Sequence, residues 1–405
     1  MTRSVRTTGF AAIGRDLQSL IALLALALAF ATLLIGVAGP DERLVVQGIP
    51  LSTVLYVAAF GVAALTPCVP STHSTVLLFL LPIALLGLTL PFSLDQEAGA
   101  GKLFNLIAST FVASVLLAAT VQRVGTETTQ RILIIVLVFL LIAAVFYKLR
   151  HGFFDRQVPF LMNGPIVFAR VMGLGCICSL AALRGMPRLL LSAIFFAAVV
   201  WTASKGPILA LLVTIGAYVL LLGSRRERVA FATLLAAVVV GVVANYDAFS
   251  KWQPLSRLFL VASSGAGGFE SVGSRLTLLH ASLRVIQDHP FGVGLGGWSS
   301  ATGIRWASYP HNFLLELWSE AGLLLGTAAT LPYLAFLWRR VDAWWILCVF
   351  FLLCQQVSGD LLDSRYWLTF SIVGFLCRNE GRRIPVAPRS HGHSLSMHEN
   401  QRKPA

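Results

Sequence analysis

Apolar runs close to 20 residues long recur from residue 17 to residue 377, and this repetition leaves the chain few ways to fold. A helix of about 20 apolar residues spans the hydrocarbon core of a bilayer. In lipid every backbone polar group must be satisfied within the protein, so such runs form helices rather than open strands. Composition agrees, with 57% hydrophobic and only 12% charged residues, where a soluble domain carries about 25% charged. The fold class expected is an all-α polytopic membrane protein. Spans fall at about 17–38, 49–66, 74–92, 103–123, 131–148, 165–184, 187–203, 206–223, 229–246, 311–338, 342–358 and 362–378. Residues 1–378 thus form one transmembrane domain of about 12 helices. The polar tail 379–405, rich in Arg, His, Ser and Pro, has the composition of a disordered segment.

The run Leu17–Val37 is longer than the 7–15 apolar residues of a signal peptide and counts as the first span. With an even number of spans both termini share one side. Assigning that side to the cytoplasm places eighteen basic residues inside against seven in the short outer loops, as the positive-inside rule requires. This asymmetry accounts for the formal charge of +13 without nucleic acid as a partner. The six cysteines lie in or beside apolar runs, with no zinc or disulfide spacing, and are expected as small core residues.

One connection is long. From about residue 247 to 310 the chain stays on the outer side, and loops of this length in compact folds carry function or are disordered. Ser274 can cap a helix in which Leu276, Leu279, Leu283 and Ile286 recur at helical spacing, ending near Asp288-His289-Pro290. The glycines from Gly292 to Gly297 follow no strand and belong to no βαβ unit, so they form a tight turn back to the membrane rather than a nucleotide loop.

Four residues stand out chemically. His311, followed by Asn312, sits at the outer mouth of the tenth span, where an imidazole can take a proton from a hydroxyl near neutral pH. Arg275 opens the loop helix, and its guanidinium can hold a phosphate bidentately. Arg170 falls inside the sixth span, where a charge is costly and marks function by default. Lys205 occupies the outer turn between spans seven and eight, a place where lysine also serves as a simple interfacial anchor. No Asp, Glu, His or Cys cluster has metal-ligand spacing, and no cofactor is expected.

Ser274-Arg275-Leu276, the helix ending in Asp288-His289-Pro290-Phe291-Gly292, and Pro310-His311-Asn312-Phe313 with Gly322 beyond it resemble the O-antigen ligase and polymerase superfamily. The motifs cover residues 270–326, and the topology extends the likeness loosely to residues 1–378. The resemblance implies an inverting glycosyltransferase of the bacterial inner membrane. Such an enzyme takes a glycan from undecaprenyl pyrophosphate at the periplasmic face, without metal or nucleotide. It implies His311 as the essential histidine and Arg275 as the loop arginine. The family's outer Ser-Arg-Gly is Ser204-Lys205-Gly206 here, which keeps the charge and loses the fork. On this likeness Arg275, Lys205 and Arg170 hold the pyrophosphate, Asn312 supports the site and His311 is the base. The activity expected is an O-antigen ligase that transfers the glycan to lipid A core oligosaccharide, with a polymerase extending a growing glycan as the near alternative. A transporter is the remoter one, since only Arg170 lies on a path through the spans.

The orientation has a direct test. A cysteine placed at Ser264 in a variant otherwise free of reactive thiols should label with a membrane-impermeant reagent from the periplasmic side. Labelling only after the inner membrane is permeabilised reverses the topology.

Overall fold

The structure is a computed structural model that describes residues 24–25, 27–28, 45–46, 49–65, 71–153, 160, 164–245, 266–334 and 342–377. Apart from one ladder, Val45–Val46 against Ile49–Pro50, the described elements are helical. They are α1 (Leu51–Leu65), α2 (Ser71–Ala84) running into a 3-10 segment Leu85–Phe92, α3 (Gln96–Val124), α4 (Thr126–His151), α5 (Pro165–Ala182), α6 (Gly185–Trp201), α7 (Lys205–Leu222), α8 (Arg225–Ala244), α9 (Ala266–Asp288), α10 (Trp298–Thr302), α11 (Phe313–Leu334), α12 (Ala343–Ser358) and α13 (Arg365–Cys377).

Every expected span from residue 49 onward coincides with a helix. Among the described residues, four segments are long and apolar enough to cross a membrane: Thr72–Phe92, Gln96–Val124, Thr126–His151 and Pro165–Ala182. Four shorter helices are apolar as well. The expected first span lies almost wholly outside the described residues, as do 246–265 of the long connection and the tail. Five of the six cysteines are free and buried, in keeping with core residues; Cys68 is outside the described set.

Local chemistry sets the helix ends. Asp95 accepts from the Ala98 amide at 3.0 Å to cap α3, Asp342 accepts from Trp345 at 2.8 Å to cap α12, and Pro165 begins α5 where its missing N–H costs nothing. Ser224 and Glu227 close a reciprocal capping box on α8. α3, α5 and α13 are each buried along most of their length, whereas α4 and the α2 run present much of their surface outward. α5 packs on α4, α6, α7 and α12, and α3 packs on α2 and α13.

Two expected helix boundaries move. α9 begins at Ala266, so Ser274 lies inside it rather than at its cap; once nucleated, a helix propagates through a serine at little cost. α11 begins at Phe313, so His311 and Asn312 precede the helix instead of occupying its first turn.

α11 is also broken. Gly322 has φ 79° and ψ 164° in mid-helix, which frees the carbonyls one turn before it. The glycine-rich turn after α9 supplies donors to them: Val293 N–H to Ser319 O at 2.9 Å and Gly294 N–H to Glu320 O at 2.9 Å, while Leu323 N–H returns to Pro290 O at 3.2 Å. The turn continues across to the start of α3, where Ser93 Oγ donates to Leu295 O at 2.6 Å and Thr89 Oγ1 accepts from Leu295 N–H at 3.2 Å. Gly292, Gly294 and Gly296 all have positive φ near 80°. This is the tight turn expected from the sequence, and it stitches α11 to α3.

A side chain at Gly322 has no room. Its Cβ meets the Phe291 carbonyl carbon at 2.5 Å and the oxygen at 2.7 Å, whereas Gly303, at φ 67°, faces open space. Gly303→Ala should cost only the left-handed backbone, about 1 kcal/mol. Gly322→Ala should cost about 2 kcal/mol more. Thermal denaturation in detergent compares them, and equal midpoints for the two variants contradict the packing described.

Candidate functional site

A second, small core sits apart from the main one and positions the outer residues. Leu278 and Trp298 are fully buried and pack with Ala307 and Ile304. Trp298 Nε1 donates to Ser282 Oγ at 2.9 Å, and Ser282 Oγ donates to Leu278 O at 2.8 Å. Ser299 Oγ donates to Ile304 O at 3.1 Å. α9 is thereby fixed against α10 and the segment 303–312. Arg275 lies one helical turn from Leu278, and the segment 303–312 ends in Tyr309, Pro310 and His311.

His311 adopts φ 58°, a conformation that costs an L-residue about 1–2 kcal/mol. Its ring meets Tyr309 edge to face, with centroids 4.4 Å apart. The next residue accounts for the turn into the helix: Asn312 Oδ1 accepts from Leu315 N–H at 3.0 Å, and Asn312 Nδ2 donates to Gln356 O at 2.8 Å. Asn312 therefore caps α11 and ties it to α12, a supporting part. Strain of this kind persists where the surroundings enforce it and gathers at functional sites. Among the described residues the other non-glycine with positive φ is Ala203, at 51°, in the turn before Lys205. His311 falls inside a motif singled out by sequence, and Ala203 directly precedes another, Ser204-Lys205-Gly206.

The electrostatics around His311 have one direction. Burial pushes its imidazole below the ordinary value, Arg275 and Arg170 push it further down, and Asp363 opposes them. The structure thus brings His311, Arg275 and Arg170 into one electrostatic neighbourhood. Arg275 is half-buried on α9; burial lowers its own value, yet a guanidinium stays charged at any working pH. Burial, then Asp360 and Asp363, raise Tyr309, so its phenol stays neutral.

Arg170 is fully buried on α5 and pairs with Asp363 Oδ2 at 2.5 Å. Asp363 lies in the connection 359–364 between α12 and α13. Asp360 Oδ1 accepts from Asp363 N–H at 2.6 Å, and Gln355 Nε2 donates to Asp363 O at 2.8 Å. Burial and the neighbouring Asp363 raise Asp360 to about 6. Lys205 is the first residue of α7, after the Thr202–Ser204 turn, in which Ser204 N–H donates to Thr202 Oγ1 at 3.2 Å. α7 packs on α5 and α12, the elements that carry Arg170 and lead into the Asp363 connection.

The sequence reading missed the acids. Asp360 and Asp363 were not singled out, although an intramembrane arginine requires an anion and theirs is a short polar connection between two apolar runs. Glu316 and Glu320 lie between Phe313 and Gly322 of the motif, and Lys102 stands just before the fourth expected span, with no spacing that relates them. The structure buries Glu316 and Glu320 and closes Lys102 Nζ on them, at 2.5 Å to Glu316 Oε1 and 2.9 Å to Glu320 Oε1. Among the described residues no three His, Cys, Asp or Glu side chains are grouped to hold a metal ion.

If the His311 imidazole is lowered as described, it is neutral, and able to accept a proton, above a midpoint that lies under the ordinary value of about 6.5. The acidic limb of kcat/KM should therefore lie below pH 6.5 and move upward in Arg275→Gln, which removes a positive charge. A limb above 6.5, or one that Arg275→Gln shifts downward, contradicts the assignment. No curated protein matches the chain. Residues 190–331, from α6 through α11 and including Lys205, Arg275, His311 and Asn312, match the family described as O-Antigen ligase, and through that segment the chain is similar to the O-antigen ligase superfamily of membrane glycosyltransferases.

Proposed function

We propose that the chain is an O-antigen ligase that moves a glycan from undecaprenyl pyrophosphate to the lipid A core oligosaccharide at the periplasmic face of the bacterial inner membrane, with both termini cytoplasmic. The observation that carries this reading is a strained His311, biased to its neutral form by burial, Arg275 and Arg170, in a segment similar to that family that also contains Arg275. The acceptor hydroxyl attacks the anomeric carbon as His311 takes its proton. The bond from that carbon to the pyrophosphate oxygen breaks, and attack from the opposite face inverts the configuration.

Charge on the departing pyrophosphate grows along this path, and fixed cations in a partly dry site stabilise it. Arg275 is the principal ligand, because it acts electrostatically on His311 and no carboxylate is among the groups that shift it. Arg170 contributes field from behind, since its own guanidinium is already paired with Asp363. Lys205 adds a point charge from the neighbouring turn. Burial, Arg275 and Arg170 keep the imidazole unprotonated, so two of the same cations serve leaving-group stabilisation and base strength.

Purified protein with lipid-linked donor and lipid A core acceptor, in excess EDTA, tests the reading. Turnover should survive chelation. His311→Ala should fall about 10²–10⁴-fold while remaining folded, Arg275→Lys should lose most activity for want of the fork, and Lys205→Arg should be tolerated. Near wild-type turnover of His311→Ala removes the base; activity lost to EDTA and restored by a divalent ion removes the metal-free mechanism. The glycolipids of a deletion strain separate ligase from polymerase. Free core with accumulated lipid-linked polymer supports the ligase, and core capped by a single repeat supports the polymerase.

A further inference from the structure

We propose that Lys102, Glu316 and Glu320 form a buried positioning cluster that holds the 359–364 connection, and with it Asp363 and its partner Arg170, against His311. This rests on the reading of His311 as the base. The cluster draws on two helices. Glu316 and Glu320 lie one turn apart on α11, both with side chains of 0% exposure, and Lys102 reaches them from the second turn of α3. Glu320 engages Lys102 Nζ through both oxygens, at 2.9 and 3.1 Å. Glu316 gives Oε1 to Lys102 and keeps Oε2 for a different donor, the Leu361 N–H, at 2.6 Å.

Stability alone gives no reason for this arrangement. Removing three charged groups from water is costly, and replacing a buried ion cluster by apolar side chains is often neutral or stabilising. Two carboxylates one turn apart also repel each other. What the cluster does supply is a fixed acceptor for a backbone amide at the start of an otherwise non-helical connection. In that connection Asp360 Oδ1 caps the turn through Asp363 N–H, so anchoring Leu361 sets the direction of Asp363. Asp363 in turn meets Arg170. The backbone oxygen of Glu320 receives Gly294 N–H, so the same helical turn also meets the glycine-rich turn beside the break at Gly322. The cluster thus stands where three irregular segments converge, and one of them carries a charged group that acts on His311.

The charges facing His311 come from three elements, Arg275 on α9, Arg170 on α5 and Asp363 on the connection, with the Tyr309 ring on its own segment. Arg170 is rooted in a helix and stays if the connection loosens; Asp363 does not. Freeing the connection therefore removes the group that raises His311 and leaves the two that lower it. The acidic limb of the pH profile should move to lower pH. Simple loss of folded protein lowers the rate at every pH and leaves the limb in place.

Four variants of the full chain in lipid nanodiscs, corrected for folded fraction by gel filtration, separate these outcomes. Glu316→Leu removes the acceptor, and Leu361→Pro removes the donor while leaving the Lys102 contacts whole. Leu361 follows the capping Asp360, a position where proline is sterically compatible with a helical turn. Glu316→Gln retains an acceptor oxygen and Leu361→Ala retains the N–H. Glu316→Leu and Leu361→Pro should lower kcat by about tenfold or more, leave donor KM within about twofold, and shift the acidic limb downward. Glu316→Gln and Leu361→Ala should recover most of the lost rate. Should Glu316→Leu fail to accumulate, the Leu361 pair decides. Leu361→Pro matching Leu361→Ala in rate with an unmoved limb, or Glu316→Gln as slow as Glu316→Leu, overturns the proposal. His311→Ala run alongside distinguishes failures: if it retains turnover, the base assignment is at fault, whatever the four variants show.

Discussion

A carbonyl left without a donor inside a membrane protein costs several kcal/mol, and the break in α11 at Gly322 frees the carbonyls of Ser319 and Glu320, two buried residues. That one requirement organises the outer half of the molecule. The donors come from Val293 and Gly294, which obliges the turn after α9 to lie against α11 rather than out in solvent. Positive φ at Gly292, Gly294 and Gly296 lets the backbone follow this route, and side chains there collide with Glu320, Ser93 and Gly99. α9 is held down at its C-terminal end as a result. The Leu278–Trp298 core then fixes its middle, and Arg275, one turn before Leu278, is set beside the segment that ends in His311. The break in a helix is thus the reason a guanidinium and an imidazole share one electrostatic neighbourhood.

Charge obeys a similar accounting. Arg170 and Lys102 are set into helices where an unpaired charge is prohibitive, and each finds carboxylates from segments remote in sequence: Asp363 for Arg170, Glu316 and Glu320 for Lys102. The two ion clusters meet at the 359–364 connection, because Glu316 also accepts from Leu361 while Asp363 lies two residues beyond it. Polar groups that would individually destabilise the bundle become collectively tolerable through this sharing. They also make the site rigid, since moving any one member strands another without its partner.

What the sequence made legible follows from what is local. Each apolar run from residue 49 onward is a helix, because burying a continuous hydrophobic stretch is settled within the stretch. The glycine-rich turn was legible for the same reason. Helix starts at Ala266 and Phe313 were not, because Ser274 and His311 offer cap-like chemistry whose use depends on neighbours. The ion pairs were illegible for a stronger reason: Lys102 and Glu316 are separated by 214 positions, and pairing across helices leaves no spacing signature. Arg170 shows the boundary well. Its cost inside a span marked it as functional, and nothing in the spacing pointed to Asp363.

Arg170 and Arg275 both act electrostatically on His311, but from different settings. Paired with Asp363, it loses the freedom to fork around a phosphate, and its net field is weakened but not cancelled, for at His311 its influence still outranks that of Asp363. Arg275 has no carboxylate among the groups that shift it, which leaves its fork the better placed to take an anion. On the function proposed above, the two divide the labour: the guanidinium paired with Asp363 supplies a fixed background potential, and the less encumbered one on α9 meets the substrate. Such a division suits a reaction in which negative charge arrives with the donor and grows as the bond breaks. The background must be present before the donor binds to keep the imidazole neutral, and a guanidinium locked against Asp363 in the protein interior is present whether or not the site is filled.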